Sequence, residues 1–182
     1  MAPKSLCASA ASAGEVSAGL RTKSPATLMK EGLDNRQELK ARALGLLARR
    51  EHSRAELARK LAGRAESAEV LGALLDELED RGQLSDGRYA EQRTSTLSRR
   101  YGSGRIRQEL RAKGVNDVLA AAAVRDAQAD DLERARRILG RKYREPATDQ
   151  RERVRRARFL QGRGFSFDVI KQALRLEAVE GD

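Results

Sequence analysis

The chain has 182 residues, 35% of them charged and only 3% aromatic, with no tryptophan and a net charge of +10. This excludes one large mixed core, and it excludes a metal site of histidine and cysteine, because His52 and Cys7 are the sole residues of their kinds. No apolar run approaches the roughly 20 residues of a membrane helix, so the chain reads as cytoplasmic, and its positive charge draws it toward polyanions.

Residues 1–35 are rich in Ala, Ser, Gly and Thr and include Pro3 and Pro25. Such a stretch buries too little apolar surface to offset its ordering entropy, so it reads as a disordered tail. A lone early Lys4 and the lack of a continuous Leu/Val/Ile segment argue against a signal peptide. Arg21, Lys23 and Lys30 are balanced by Glu15, Glu31 and Asp34, which favours a passive tail over an interaction arm.

From Leu39 onward the pattern is helical. Leu39, Ala43, Leu46 and Leu47 share one face of a helix ending near Arg50. Ser53 and Glu56 have the spacing of a capping box ahead of Leu57 and Leu61. A third helix spans about Ser67 to Arg81, with Val70, Leu71, Leu74, Leu75 and Leu78 inward and Gly82 as its stop. A second triplet starts at the Ser85-Asp86 cap and carries Tyr89, Ala90, Arg93, Leu97 and Tyr101. After the break at Gly102-Ser-Gly104, Ile106 and Leu110 line the next helix, which ends at Gly114. Asn116 caps a helix whose expected inner residues are Val118, Leu119 and Ala122. A third triplet begins near Asp130 with Leu132, Ala135, Ile138 and Leu139. It continues through an arginine-laden helix with Val154, Ala157 and Leu160 inward, ending at Gly164. Ser166 caps the last helix, with Phe167, Ile170, Ala173 and Leu174 inward.

The middle helices of the triplets align. Leu61, Leu110 and Leu160 lie 49 and 50 residues apart, and the last two are followed by Gly114-Val115 and Gly164-Phe165. A fixed period of this size marks a tandem helical array, in which each unit is too small to bury its own apolar faces. The expected fold is all-α: three tandem three-helix repeats over 36–83, 84–128 and 129–182, forming an elongated curved array behind the tail.

These residues also carry a resemblance. The stretch Ala43 to Leu57, ALGLLARREHSRAEL, is similar to the opening signature of the RecX regulatory proteins. Gly82-Gln-Leu84-Ser-Asp86-Gly-Arg-Tyr89-Ala90 resembles a later one, and Glu109-Leu110-Arg-Ala-Lys113-Gly114-Val115 and Arg163-Gly164-Phe165 match two more, in the right order over about 36–176. Gly87 departs from the pattern, standing where that family carries a charged helix former, and Gly102-Ser-Gly104 suggests a looser junction in the second repeat. The resemblance implies three three-helix repeats and no catalytic activity. It also implies a protein that binds the RecA filament on DNA and inhibits its strand exchange, ATPase and coprotease activities.

The charge map points the same way. Twelve basic residues fall between Leu132 and Gly164, opposed by Glu133, Glu145, Asp149 and Glu152. Between Glu66 and Asp86 the sign inverts, with seven acids against Arg81. Arginine suits bidentate contacts with phosphate or carboxylate. The expected binding surface for RecA and DNA comprises Arg99, Arg100, Arg105, Arg107, Arg111 and Lys113 in the second repeat. In the third repeat it comprises Arg134, Arg137, Arg141, Arg151, Arg153, Arg155, Arg156, Arg158 and Arg163.

Other patterns carry no chemistry. Gly102-x-Gly104 lacks the third glycine and the preceding strand of a nucleotide loop. Asp76, Glu77, Glu79 and Asp80 read as a solvated helix face, His52 as a junction residue, and Tyr89, Tyr101 and Phe165 as packing between repeats. No catalytic, cofactor or metal residues are expected. The expected partners are the RecA filament together with single- or double-stranded DNA, bound by a monomer that does not touch membranes. The rival reading is a helix-turn-helix DNA-binding protein acting without RecA.

Overall fold

The computed structural model describes the backbone of residues 25–179 and the side chains of 34–175. Nine α-helices and one short 3-10 turn make up these residues, with no strand among them. Helices α1 (Pro25–Leu47), α2 (Arg54–Leu61) and α3 (Ala68–Asp80) form the first repeat. Helices α4 (Asp86–Leu97), α5 (Ser103–Ala112) and α6 (Asp117–Ala129) form the second. The third contains α7 (Asp131–Lys142), α8 (Gln150–Gln161) and α9 (Phe167–Val179). None of these helices is long and apolar enough to cross a membrane. The expected tail, with Cys7, lies outside the described residues over 1–24, and the chain is already helical from Pro25.

Local chemistry sets most of the helix starts. Ser53, Ser67, Ser85, Asn116 and Asp149 each accept a hydrogen bond from a backbone N–H in the first turn of their helix, satisfying donors that the helix itself cannot. The capping box at Ser53 is half formed. Its hydroxyl accepts from the Glu56 amide at 3.1 Å, but the Glu56 carboxylate turns to Arg50 at 2.5 Å.

Each repeat keeps its own core. Leu39, Leu57, Leu61, Leu74, Leu78 and Leu84 fill the first, with Leu84 reaching back from the connection to the second repeat. Tyr89, Ala90, Ile106, Leu110, Val115, Ala120 and Val124 fill the second. Ala135, Leu139, Leu160, Phe165, Ile170 and Ala173 fill the third. A fully buried leucine contributes on the order of 1.5–3 kcal/mol, so three small clusters suffice only if the repeats also bury surface against one another.

Several expected inner residues face solvent instead. Val118 is 75% and Phe167 76% exposed, and Leu119, Ala122 and Val154 are exposed as well. Helix α6 instead turns Ala120 and Val124 inward. Its run Leu119-Ala-Ala-Ala-Ala-Val124 holds no polar residue to mark an outer face, so packing against α4 and α5 decides the phase.

The repeats are locked by two joints of the same design. In the first, the Ser53 hydroxyl donates to the Lys113 carbonyl at 2.6 Å, and the Arg54 amide donates to Asp86 at 2.7 Å. In the second, the Gly102 amide donates to the Arg163 carbonyl at 2.9 Å, and the Ser103 hydroxyl donates to Asp131 at 2.6 Å. Lys113 and Arg163, 50 residues apart, each precede a left-handed glycine, Gly114 at φ 83° and Gly164 at φ 80°. Both glycines press against the start of the preceding repeat's second helix. A Cβ on Gly114 would lie 2.4 Å from the Ala55 Cβ, and one on Gly164 would lie 2.4 Å from the Arg105 amide nitrogen. Gly102 is equally constrained, since its Cβ would meet the Gly164 carbonyl oxygen at 2.7 Å. The Gly102-Ser-Gly104 stretch is therefore a close-packed joint, where the sequence suggests a loose one. Gly87, the other departure, lies within α4 with only the Ser85 hydroxyl near its missing Cβ.

His52 sits beside the first joint, 1% exposed, with Nδ1 donating to the Arg50 carbonyl at 3.0 Å and Nε2 buried without a partner. Burial, aided by the Arg50 and Lys60 charges, pushes its pKa below the ordinary value of 6.5. The unfolded chain then takes up the proton first as pH falls, so stability is full above about pH 6.5 and is lost as pH drops through the depressed folded value. Urea midpoints are expected to fall between pH 7 and pH 5, before the bulk of the carboxylates titrate, and the step should vanish in His52→Gln. An unchanged step in that variant would assign it to another group.

Candidate polyanion-binding groove

The second joint creates a groove between repeats 2 and 3. On one side stand Arg99, Arg100 and Tyr101, in the short segment between α4 and α5. On the other stand Ile138, Arg141 and Lys142 of α7, with Phe159 of α8 and Arg163 just beyond it. The space enclosed is about 510 Å³. Among the described residues five cations line it and no carboxylate does, and none of the five is paired with an acid. Arg99, Arg100, Arg141 and Lys142 are exposed, and Arg163 is half-buried.

Aromatic rings hold several of these cations in place. The Arg163 guanidinium lies 3.8 Å and the Lys142 ammonium 3.9 Å from the Phe159 ring centre. Phe159 itself meets Tyr143 edge-on at 5.8 Å. Arg105 lies 5.0 Å over Tyr101 at the mouth of the joint. A cation over a ring loses part of its hydration and part of its rotamer freedom before any ligand arrives. The groove is thus charged and oriented, with no acid of the described residues to neutralise it.

The fifteen basic residues expected from sequence divide into distinct groups. Arg99, Arg100, Arg141 and Arg163 meet in the groove, with Arg105 beside it. Arg151, Arg155 and Arg158 form a separate exposed face of α8 around Val154. Arg137 and Arg153 are exposed elsewhere on α7 and α8. Arg107 and Arg111 both pair with Asp117, whose carboxyl the Arg111 hydrogen bond holds below the usual range. Lys113 faces a different cleft, between repeats 1 and 2, which it shares with Arg50, Arg93, Glu51 and Glu56.

Two of the fifteen do not belong to any surface. Arg134 is buried and paired with Asp131, which also accepts from Ser103. Arg156 is 1% exposed, donates to the Glu145 carbonyl at 2.8 Å and to Glu152 at 2.7 Å, and lies 4.5 Å over the Tyr143 ring. Both act within the third repeat. The twelve bases of this repeat therefore do not form one flank. Conversely, Lys142 joins the groove although the charge pattern alone gives it no special place; its adjacency to Tyr143 in the chain is the one sequence sign.

Comparison with known proteins covers all three repeats. The family models for the first, second and third three-helix domains of RecX match residues 40–78, 85–124 and 129–174. The chain is 47% identical over 144 residues to the regulatory protein RecX of Leptothrix cholodnii, covering 79% of this chain and 92% of that one. It is 43% identical over 136 residues to the regulatory protein RecX of Ralstonia nicotianae, covering 75% and 86%. The crystal structure of RecX from Lactobacillus salivarius superposes with a TM-score of 0.71 at 21% identity, over 81% of this chain and 99% of that one. At that identity the likeness speaks for the fold.

Proposed function

Because this chain belongs to the RecX family of regulatory proteins, we propose that it binds the RecA filament on DNA and inhibits its strand exchange, ATPase and coprotease activities. The observation that supports this most is the groove between repeats 2 and 3, whose five cations pair with no acid among the described residues. A surface left in that state favours a polyanionic partner. The exposed face of α8 adds Arg151, Arg155 and Arg158 around the apolar Val154, a combination suited to a protein surface that offers both carboxylates and apolar contact. The protein then works by occupancy: it lies on the polymer and obstructs what the polymer does.

The test is ATP hydrolysis by RecA on single-stranded DNA with this protein added below one copy per RecA. Hydrolysis is expected to slow, and less so with Arg155→Glu/Arg158→Glu, with the gap between the two proteins narrowing as salt rises. Full hydrolysis at every ratio of the unaltered protein would refute the regulatory reading. Arg156 is unsuited to such a test because its reversal would act through the third repeat's core.

A further inference from the structure

We infer that the groove between repeats 2 and 3 is a clamp for a phosphodiester strand, gripping nucleic acid through its backbone with no reading of the bases. This deepens the function proposed above and rests on it for its setting, but the chemistry argues for it separately. Arg99, Arg100, Arg141, Lys142 and Arg163 converge on one concave space with no carboxylate among the described residues that line it. Protein surfaces commonly intersperse both signs of charge, and among the described residues this groove lines up no acid to meet a partner's cations. A phosphodiester chain repeats one negative charge per unit and carries no cation, and it is thin enough to enter a cleft of about 510 Å³.

The rings explain why the bases go unread. Strand-binding proteins that hold bases by stacking present open aromatic faces. Here Phe159 already carries Arg163 and Lys142, and Tyr101 carries Arg105. The rings aim the cations and are not offered to bases. The fit is to phosphate oxygens, which the arginine forks can take two at a time. The clamp also depends on the joint, because the Gly102 and Gly104 amides bind the Arg163 and Gly164 carbonyls at 2.9 and 3.2 Å and so hold the Tyr101 side against the Arg163 side.

The experiment measures fluorescence anisotropy of labelled oligo(dT), oligo(dA) and a hairpin duplex with the full chain alone, without RecA. Affinity for the dT and dA strands is expected to agree within about twofold, and log K for either to fall against log salt with a slope of about −3.5, as five phosphate contacts at roughly 0.7 each imply. The duplex is expected to bind more weakly than either strand, because the cleft admits a single backbone. Arg141→Glu/Lys142→Glu should weaken binding at least about tenfold, while Arg141→Lys/Lys142→Arg, which keeps both charges, should restore most of it; helicity by circular dichroism checks that each variant is folded. Three results overturn the inference: no DNA binding at low salt, unchanged affinity in the folded charge-reversal variant, or displacement of DNA by poly-glutamate as readily as by unlabelled DNA. RecA inhibition measured in parallel separates the two readings, since inhibition without any DNA binding leaves the regulator intact and removes the clamp.

Discussion

Gly164→Ala is expected to destabilise the protein by about 3 kcal/mol and to release the third repeat from the second. Alanine in the left-handed region costs roughly 1–2 kcal/mol, and Gly164 sits there at φ 80°. Its new methyl group would stand 2.4 Å from the Arg105 nitrogen and 2.5 Å from the Arg105 Cβ. One of those atoms is backbone, tied down because the neighbouring Gly104 amide donates to the Gly164 carbonyl. Forcing that contact apart adds on the order of 1–3 kcal/mol. Urea denaturation followed by circular dichroism should show a lower midpoint and a separate early transition, because repeats in an array unfold one by one once their interface weakens. Gly72→Ala is the control. It lies within α3, where an added Cβ meets nothing within 4 Å, and should raise stability by about 0.5–1 kcal/mol. If the two variants unfold alike, the joint does not hold the repeats together.

Arg156→Ala is expected to cost about 3–5 kcal/mol, whereas Arg156→Leu should stay within about 1 kcal/mol of the parent. The difference follows from the period of the array. Counting back from Leu160 and Leu110, position 156 corresponds to Ile106 and, one repeat earlier, to Leu57, both fully buried. The third repeat fills this core site with an arginine whose stem packs and whose head stacks on Tyr143 and donates to Glu145 and Glu152. Alanine leaves a cavity and strips the Glu145 carbonyl and Glu152 of a donor. Leucine restores the apolar plug that its counterparts supply, and Glu152, partly exposed, can turn to water. Thermal unfolding of the two variants checks this. A leucine variant as unstable as the alanine one would mean that the guanidinium's polar contacts, and not its volume, hold the site.

The arginines show where reading a chain without its fold stops. Their number and clustering were plain, and so was their pull toward a polyanion. Their individual fates were not. Arg134 is taken by Asp131, Arg111 by Asp117 and Arg156 by Tyr143 and Glu152, while Arg99 and Arg163, more than 60 residues apart, end in one groove. A guanidinium is buried, paired or free according to what the packed helices bring beside it, and that is a property of distances across repeats.

Much else was legible from residues alone, because it depends on neighbours a few positions away. The Ser53, Ser85 and Asn116 caps, the glycine stops, the all-helical composition and the period of about 50 between Leu61, Leu110 and Leu160 are local or repeating signals, and the helices obey them. What awaited the tertiary structure was of two kinds. The phase of α6 was open because a run of alanines marks no outer side, so its packing partners chose Ala120 and Val124. The Gly102-Ser-Gly104 stretch looked like slack because glycine permits flexibility and close approach equally. Only the arrival of Gly164 against it decides for close approach, and that contact holds the two walls of the cationic groove together.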